Sequence, residues 1–239
     1  MSKKLIAKLA TAPPTITKAM SLITKLFHFV MITSKKYGID DTHGLSHSMN
    51  VLHFANDIYE AEKHRHPILQ QQQKVIFVSA IIHDMCDKKY MNEDEGLKNI
   101  NTFLQDKMSL AEIDITKRII KTMSYSTVKR QGFPELYEYQ MAYHVVREAD
   151  LLSAYDFDRC MLYNMHIQDT DPKNQEKEQD VKIMDAFNDA HELFQRRVLK
   201  HNHDNLFITD YSKHHYLPLH INAIKRINSW KQIMRKTIT

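Results

Sequence analysis

The amino-acid sequence predicts an all-α fold, and three observations predict it. Chain-breaking residues are sparse, falling at Pro13-Pro14, Gly38, Pro67, Gly132 with Pro134, Pro172 and Pro218. The intervals between them are long, and their apolar residues recur at helical spacing rather than in strict alternation. At 239 residues and 43% hydrophobic content the chain can bury a sizeable core, and residues 1–239 are expected to form a single helical domain.

The elements follow in order. In the first interval Ile16, Met20, Ile23, Phe27 and Val30 form one stripe, and Gly38 is placed to end that helix in a left-handed cap. Val51, Phe54, Ala55 and Ile58 repeat the pattern in the second. The run Val75-Ile76-Phe77-Val78 is β-branched enough to suggest a strand, but it continues through Ser79-Ala80-Ile81-Ile82 without a turn signal, as a buried helix does. Ile113, Ile119, Ile120 and Met123 give another stripe, and further helices are expected near 136–166, 179–200 and 219–235. The segment from Gln168 to Gln179 has no apolar anchor and reads as a solvated loop.

Composition excludes several function classes. The four glycines, Gly38, Gly44, Gly96 and Gly132, are too scattered to build a glycine-rich phosphate loop, so any phosphate chemistry needs a metal and side chains. The formal net charge is a mild +4. Residues 1–39 nevertheless carry Lys3, Lys4, Lys8, Lys18, Lys25, Lys35 and Lys36 with no acid, which suits an anion, a membrane surface or nucleic acid, or simply a solvated helix face. No arginine-rich or aromatic-interleaved pattern accompanies them. Lys8 interrupts the apolar run near the start, which argues against a signal peptide, and no stretch approaches the roughly 20 apolar residues of a membrane span. Cys86 and Cys160 form no Cys-x-x-Cys motif, consistent with a reducing, cytoplasmic setting.

Three segments carry candidate chemistry. His47 starts a helix whose Val51 faces the core one turn later. His83 and Asp84 follow a strongly apolar run, and Asp150 sits among Val145, Val146, Leu151 and Leu152. Burying an unpaired carboxylate at Asp84 or Asp150 costs several kcal/mol, roughly, so each needs a cation or a hydrogen-bonding network. Imidazole and carboxylate together suit a divalent ion, whether Mn, Mg, Fe, Co, Ni or Zn.

This ordered set, a histidine, an adjacent His-Asp pair and a distant aspartate, resembles the HD-domain superfamily of metal-dependent phosphohydrolases. The flanking details are similar to its bacterial and viral branch acting on nucleotides and small phosphoesters. Gly44 to Val51 resembles the Gly-x-x-His-x-x-x-Val context, Met85 to Lys89 the x-x-Asp-x-Lys tail, and Ala149 to Ala154 the Ala-Asp-x-Leu-x-Ala context. The likeness spans roughly residues 40 to 160. The chain departs from the pattern at Asn50 and Leu151, each in place of a frequent arginine, with Arg147 and Arg159 as stand-ins for substrate contact.

The resemblance implies an HD-domain helical bundle in which His47, His83, Asp84 and Asp150 hold one divalent ion, and metal-activated water attacks a nucleotide or another small phosphate ester or pyrophosphate. Asp87 is the candidate to orient or deprotonate that water, and Lys88 and Lys89 are candidates to neutralise phosphate charge. His43 suits a phosphate contact, a second metal or a helix cap. Ser124 and Lys129 resemble a serine-containing loop of related hydrolases, or else a helix end followed by a polar loop. His201, His203, His214, His215 and His220 read as scattered surface residues rather than a second metal site. The competing functions are a non-catalytic nucleotide-binding HD module and a nucleic-acid phosphodiesterase; an HD-type oxygenase would need further histidine ligands.

Overall fold

The computed structural model describes residues 14–40 and 42–237, with side chains from residue 22 to residue 236 apart from position 41. Ten α-helices follow one another: α1 (Pro14–Tyr37), α2 (Leu45–Glu62), α3 (Leu69–Ile82), α4 (Glu93–Leu104), α5 (Leu110–Thr122), α6 (Tyr125–Gln131), α7 (Gln140–Ser153), α8 (Phe157–Thr170), α9 (Gln179–Arg196) and α10 (Asp210–Thr237). There is no strand among the described residues, so the all-α expectation holds.

Helix ends follow from local chemistry. Gly38, at a φ of +64°, closes α1 in the left-handed conformation, and Ile39 N–H donates to Ser34 O at 3.0 Å, as in a Schellman cap. The Asn92 side chain accepts from Asp94 N and Glu95 N at the start of α4, where Glu93, Asp94 and Glu95 also favour the helix dipole. Ser109 and Glu112 form a reciprocal capping box at the start of α5. Ser124 caps α6 and Asp156 caps α8.

Helices α2, α3 and α7 form the centre, each packed on the other two, with α1 and α5 against α3. Helices α8 and α9 pair with each other, and α10 crosses α2, α7 and α8. Val51, Ala55 and Ile58 of α2, Ile76, Ile81 and Ile82 of α3, and Tyr143, Val146 and Ala149 of α7 are buried together. Helix α7 is buried almost all round, the mark of a central element. The run from Val75 to Ile82 is helical and buried apart from a partly exposed Phe77, so its length prevailed over its β-branched composition.

Several expectations are corrected. The helix anticipated over 136–166 is two helices, because the Asp156 side chain accepts Arg159 N–H at 3.0 Å and starts α8 afresh. Helix α9 ends at Arg196, before 200. Pro218 lies inside α10 rather than before a helix, and the apolar anchors Ala223, Ile227 and Met234 hold that helix despite the lost hydrogen bond. The polar segment after 168 is exposed over most of its length, yet Gln168 is buried, donating to Asp189 Oδ2 at 3.1 Å and accepting from Asn174 Nδ2 at 2.8 Å. Helix α4 was not anticipated. Its Gly96 is required by contact, since a Cβ there would lie 2.6 Å from Cys86 Cβ and 2.7 Å from Cys86 Cα. Lys3, Lys4 and Lys8 lie outside the described residues, as do the side chains of Ile16, Lys18 and Met20; Lys25, Lys35 and Lys36 are exposed. No helix among the described residues is long and apolar enough to cross a membrane.

Candidate metal centre

The three central helices deliver the polar cluster. His47 stands in the first turn of α2, His83 caps the C-terminus of α3 with Asp84 immediately after it, and Asp150 projects from the last turn of α7. His47 and His83 are buried, whereas Asp84 and Asp150 keep 15% and 24% of their side chains exposed. His47 Nε2 and His83 Nε2 are 3.1 Å apart. Asp84 Oδ2 lies 3.3 Å from each of these nitrogens, and Asp150 Oδ1 lies 3.4 Å from His47 Nε2 and 3.7 Å from His83 Nε2.

The His47–His83 pair is at hydrogen-bond distance, and the set of spacings also suits ligands of one shared cation. Ligand atoms about 2.1 Å from one ion stand about 3.0 Å apart in octahedral and about 3.4 Å apart in tetrahedral coordination. Asp84 Oδ2, although close to both imidazoles, is buried without a hydrogen-bond partner. His47, His83 and Asp150 offer ligand atoms that all lie within 4.8 Å of one another, a group that could hold a metal ion. The His83 Nδ1 atom is 2.9 Å from Ala80 O, so a proton on Nδ1 is donated to that carbonyl and the Nε2 lone pair faces the cluster.

Electrostatics agree. Burial alone would lower the pKa of His83, but Asp84 and Asp150 outweigh it and push it up to about 9. Burial would likewise raise Asp84 and Asp150, yet the two imidazoles hold both carboxyls well below the usual range.

The cluster opens into a cavity of about 430 Å³. The loop after α3 brings Asp87, Lys88 and Lys89 to its wall, with Asp87 Oδ1 accepting Lys89 N–H at 2.9 Å. Ser124 reaches the wall while its oxygen caps α6. Arg159 lines the cavity too, with Nη1 donating to Thr42 O at 2.8 Å. His43 also borders it but precedes α2 instead of sharing a helical face with His47. Its Nδ1 lies 3.3 Å from Asp40 Oδ2 and 3.1 Å from the Tyr90 hydroxyl. Burial would raise the pKa of Asp40, but His43, Thr42 and Tyr90 hold its carboxyl well below the usual range.

Arg147 does not reach the cavity. It is buried on another face of α7, 2.8 Å from Glu148 Oε1, with Phe133 against its guanidinium, and this withdraws it as a substrate contact. Lys129 pairs with Asp204 at 3.0 Å. Of the late histidines, His201 is fully buried rather than on the surface, and no second group of possible metal ligands occurs among the described residues.

Sequence reasoning missed the contribution of α9 and the turn after it, which place Leu193, Phe194, Arg197 and Val198 on the cavity wall. A signal existed in the helix phase. Phe187, Ala190 and Phe194 are buried, and continuing that face by three residues selects Arg197 rather than the exposed Arg196. Cys86 and Cys160, distant in sequence, border the same cavity as free thiols. No protein-family model, curated protein or solved structure matches this chain.

Proposed function

We propose that the chain is a metal-dependent phosphohydrolase, with His47, His83, Asp84 and Asp150 as ligands of one divalent ion in an HD-type helical bundle. The observation that carries this reading is the convergence of two imidazoles and two carboxylates, the Asp84 oxygen without a hydrogen bond, at the base of a cavity whose wall carries Lys88, Lys89 and Arg159. A divalent cation in that position supplies a water of lowered pKa and a polarised phosphoryl oxygen.

The chain's own groups supply the rest. Ala80 O fixes the His83 tautomer, and Asp87, steadied by the Lys89 amide, accepts the proton of the attacking water. Lys88, Lys89 and Arg159 balance phosphate charge. The apolar wall of Ile120, Met123, Leu151 and Phe194 excludes bulk water and leaves room for the organic part of a small phosphate ester such as a nucleotide.

The test is a panel of nucleoside mono-, di- and triphosphates assayed with Mn, Mg, Co, Ni, Fe and Zn, with phosphate and pyrophosphate release separated. Hydrolysis that requires added metal and is abolished by chelation is the expected result. No turnover with any metal, or turnover insensitive to chelator, overturns the reading.

A further inference from the structure

Arg197 is an unusual cation in this molecule. It ends α9 with a non-helical backbone, φ −128° and ψ −69°, and its side chain forms part of the cavity wall. Other arginines around the same helices are engaged: Arg147 with Glu148, Arg159 with Thr42 O and Arg226 with Asp158. The Arg197 guanidinium has no hydrogen bond or ion pair among the described residues. Its contact is the Tyr125 ring, whose centroid is 4.6 Å from the guanidinium carbon.

That ring is held in place. The Tyr125 hydroxyl donates to Asp204 Oδ2 at 3.3 Å, and Lys129 Nζ donates to the same oxygen at 3.0 Å. Asp204 is thereby occupied. Besides burial, the groups that weigh most on Arg197 are Asp150, Tyr125, Cys160 and Arg159. Asp150 is the single acid among them, and it faces His47 and His83. Burial lowers the pKa of Arg197 even against the pull of Asp150. A guanidinium stays protonated in proteins, so the chain keeps a half-buried charge with one aromatic face covered and its donors uncommitted.

We infer that Arg197 is an anion anchor whose free guanidinium edge binds the phosphate oxygens of the ligand occupying the cavity, while Tyr125 keeps the guanidinium plane in place. The anchor deepens the phosphohydrolase reading and rests on the same cavity, yet it concerns binding and can be tested without turnover. A planar fork of donors matches a phosphate group, and stacking reduces the entropy lost when the fork engages. Arg197 is therefore a substrate-binding residue supplied by the C-terminal third of the chain.

The experiment measures binding of inorganic pyrophosphate and of orthophosphate to the full chain by calorimetry, once in chelator and once with Mg²⁺. Wild type, Arg197→Gln, Arg197→Lys and Arg196→Gln are compared, with thermal unfolding of each. Arg197→Gln should weaken pyrophosphate binding by about 10- to 100-fold, and Arg197→Lys by less, because lysine keeps the charge but lacks the fork. Arg196→Gln, at an exposed arginine paired with Glu192, should stay within about twofold, showing that bulk charge is not responsible. If Arg197→Gln unfolds, Arg197→Lys carries the test.

Unchanged affinity in folded Arg197 variants overturns the anchor even if the chain hydrolyses phosphoesters. Absence of pyrophosphate and orthophosphate binding to wild type overturns it as well. Arg197-dependent binding in a chain that hydrolyses nothing upholds the anchor and sinks the hydrolase reading instead.

Discussion

Helix α7 carries two carboxylates two residues apart, and the chain treats them in opposite ways. Glu148 is completely buried and fully engaged by protein: Arg147 Nη2 at 2.8 Å, Ile208 N at 2.7 Å, and Thr209 Oγ1 at 2.6 Å. Asp150 is partly open to the cavity and faces two imidazole nitrogens at 3.4 and 3.7 Å, with Asp84 across the same cluster lacking a hydrogen bond on Oδ2. In the first the carboxylate itself is fully partnered, although Arg147 Nε and Nη1 beside it are buried without a hydrogen bond. The second is an open network, in which the acids are held charged by side chains that would themselves serve as ligands. Burial of a carboxylate is therefore not by itself a sign of function. The difference lies in the partners, which are an arginine, a hydroxyl and backbone amides for Glu148 and imidazole nitrogens able to ligate a metal for Asp150.

That contrast can be broken experimentally, and the largest effect is expected on the open side. Asp84→Asn should remove bound metal and lower metal-dependent turnover by about 10³-fold or more while leaving the helical fold intact by circular dichroism. Full metal occupancy in the variant would show that Asp84 is not a ligand. On the closed side, Glu148→Gln leaves Arg147 buried without its counter-charge and should destabilise the fold by about 3–5 kcal/mol in denaturant unfolding, with metal content per folded molecule unchanged. Loss of metal without loss of stability would invert the two assignments.

A smaller effect is expected at Gly96, where an added methyl group collides with Cys86 at the back of the loop that carries Asp84, Asp87 and Lys89. Gly96→Ala should cost about 1–3 kcal/mol and weaken metal affinity together, because the loop must move. Undiminished metal affinity in a destabilised Gly96→Ala chain would uncouple that loop from the site.

The mildest test is pH. Asp84 and Asp150 raise His83 from 6.5 to about 9 against the opposing effect of burial, so its contribution to stability is complete below about pH 6.5 and fades as pH rises through about 9. Asp84 and Asp150 are depressed, so theirs is present above the usual carboxylate range and fades as pH falls below it. Unfolding with chelator should show both losses, and added metal should flatten the alkaline one, since a cation replaces the proton. An alkaline loss of equal size with metal bound would count against His83 as a ligand.

Three members of the polar cluster were legible in sequence because they stood in chemically anomalous places, His83 and Asp84 at the end of an apolar run and Asp150 within another, while His47 was marked only by its helix start and the ordered pattern. The rest of the cavity wall was less legible. Helix α7 is buried on nearly every face and carries His144, Arg147, Glu148 and Asp150 among its apolar residues, so its pattern could not say whether Arg147 or Asp150 met the cavity. Arg159, named beside Arg147 from sequence, lines the cavity from α8, which Asp156 starts afresh. Arg197 went unnoticed because its neighbour Arg196 is chemically identical and only the helix phase separates them. Pro218 misled for the opposite reason: a strong local rule was overridden by the packing of residues further along α10.

The clasp on Glu148 also bears on the order in which the molecule assembles. Its partners Ile208 and Thr209 lie 60 and 61 residues further along the chain. Until that segment arrives, Arg147 and Glu148 remain hydrated and the central helix lacks one of its covers. Loop-closure cost grows only slowly with length, so the long connection itself is no obstacle, but the dehydration of two charges is deferred to the moment α10 docks. Closing the segment that leads into α10 over Glu148 therefore completes the cover of the central helix.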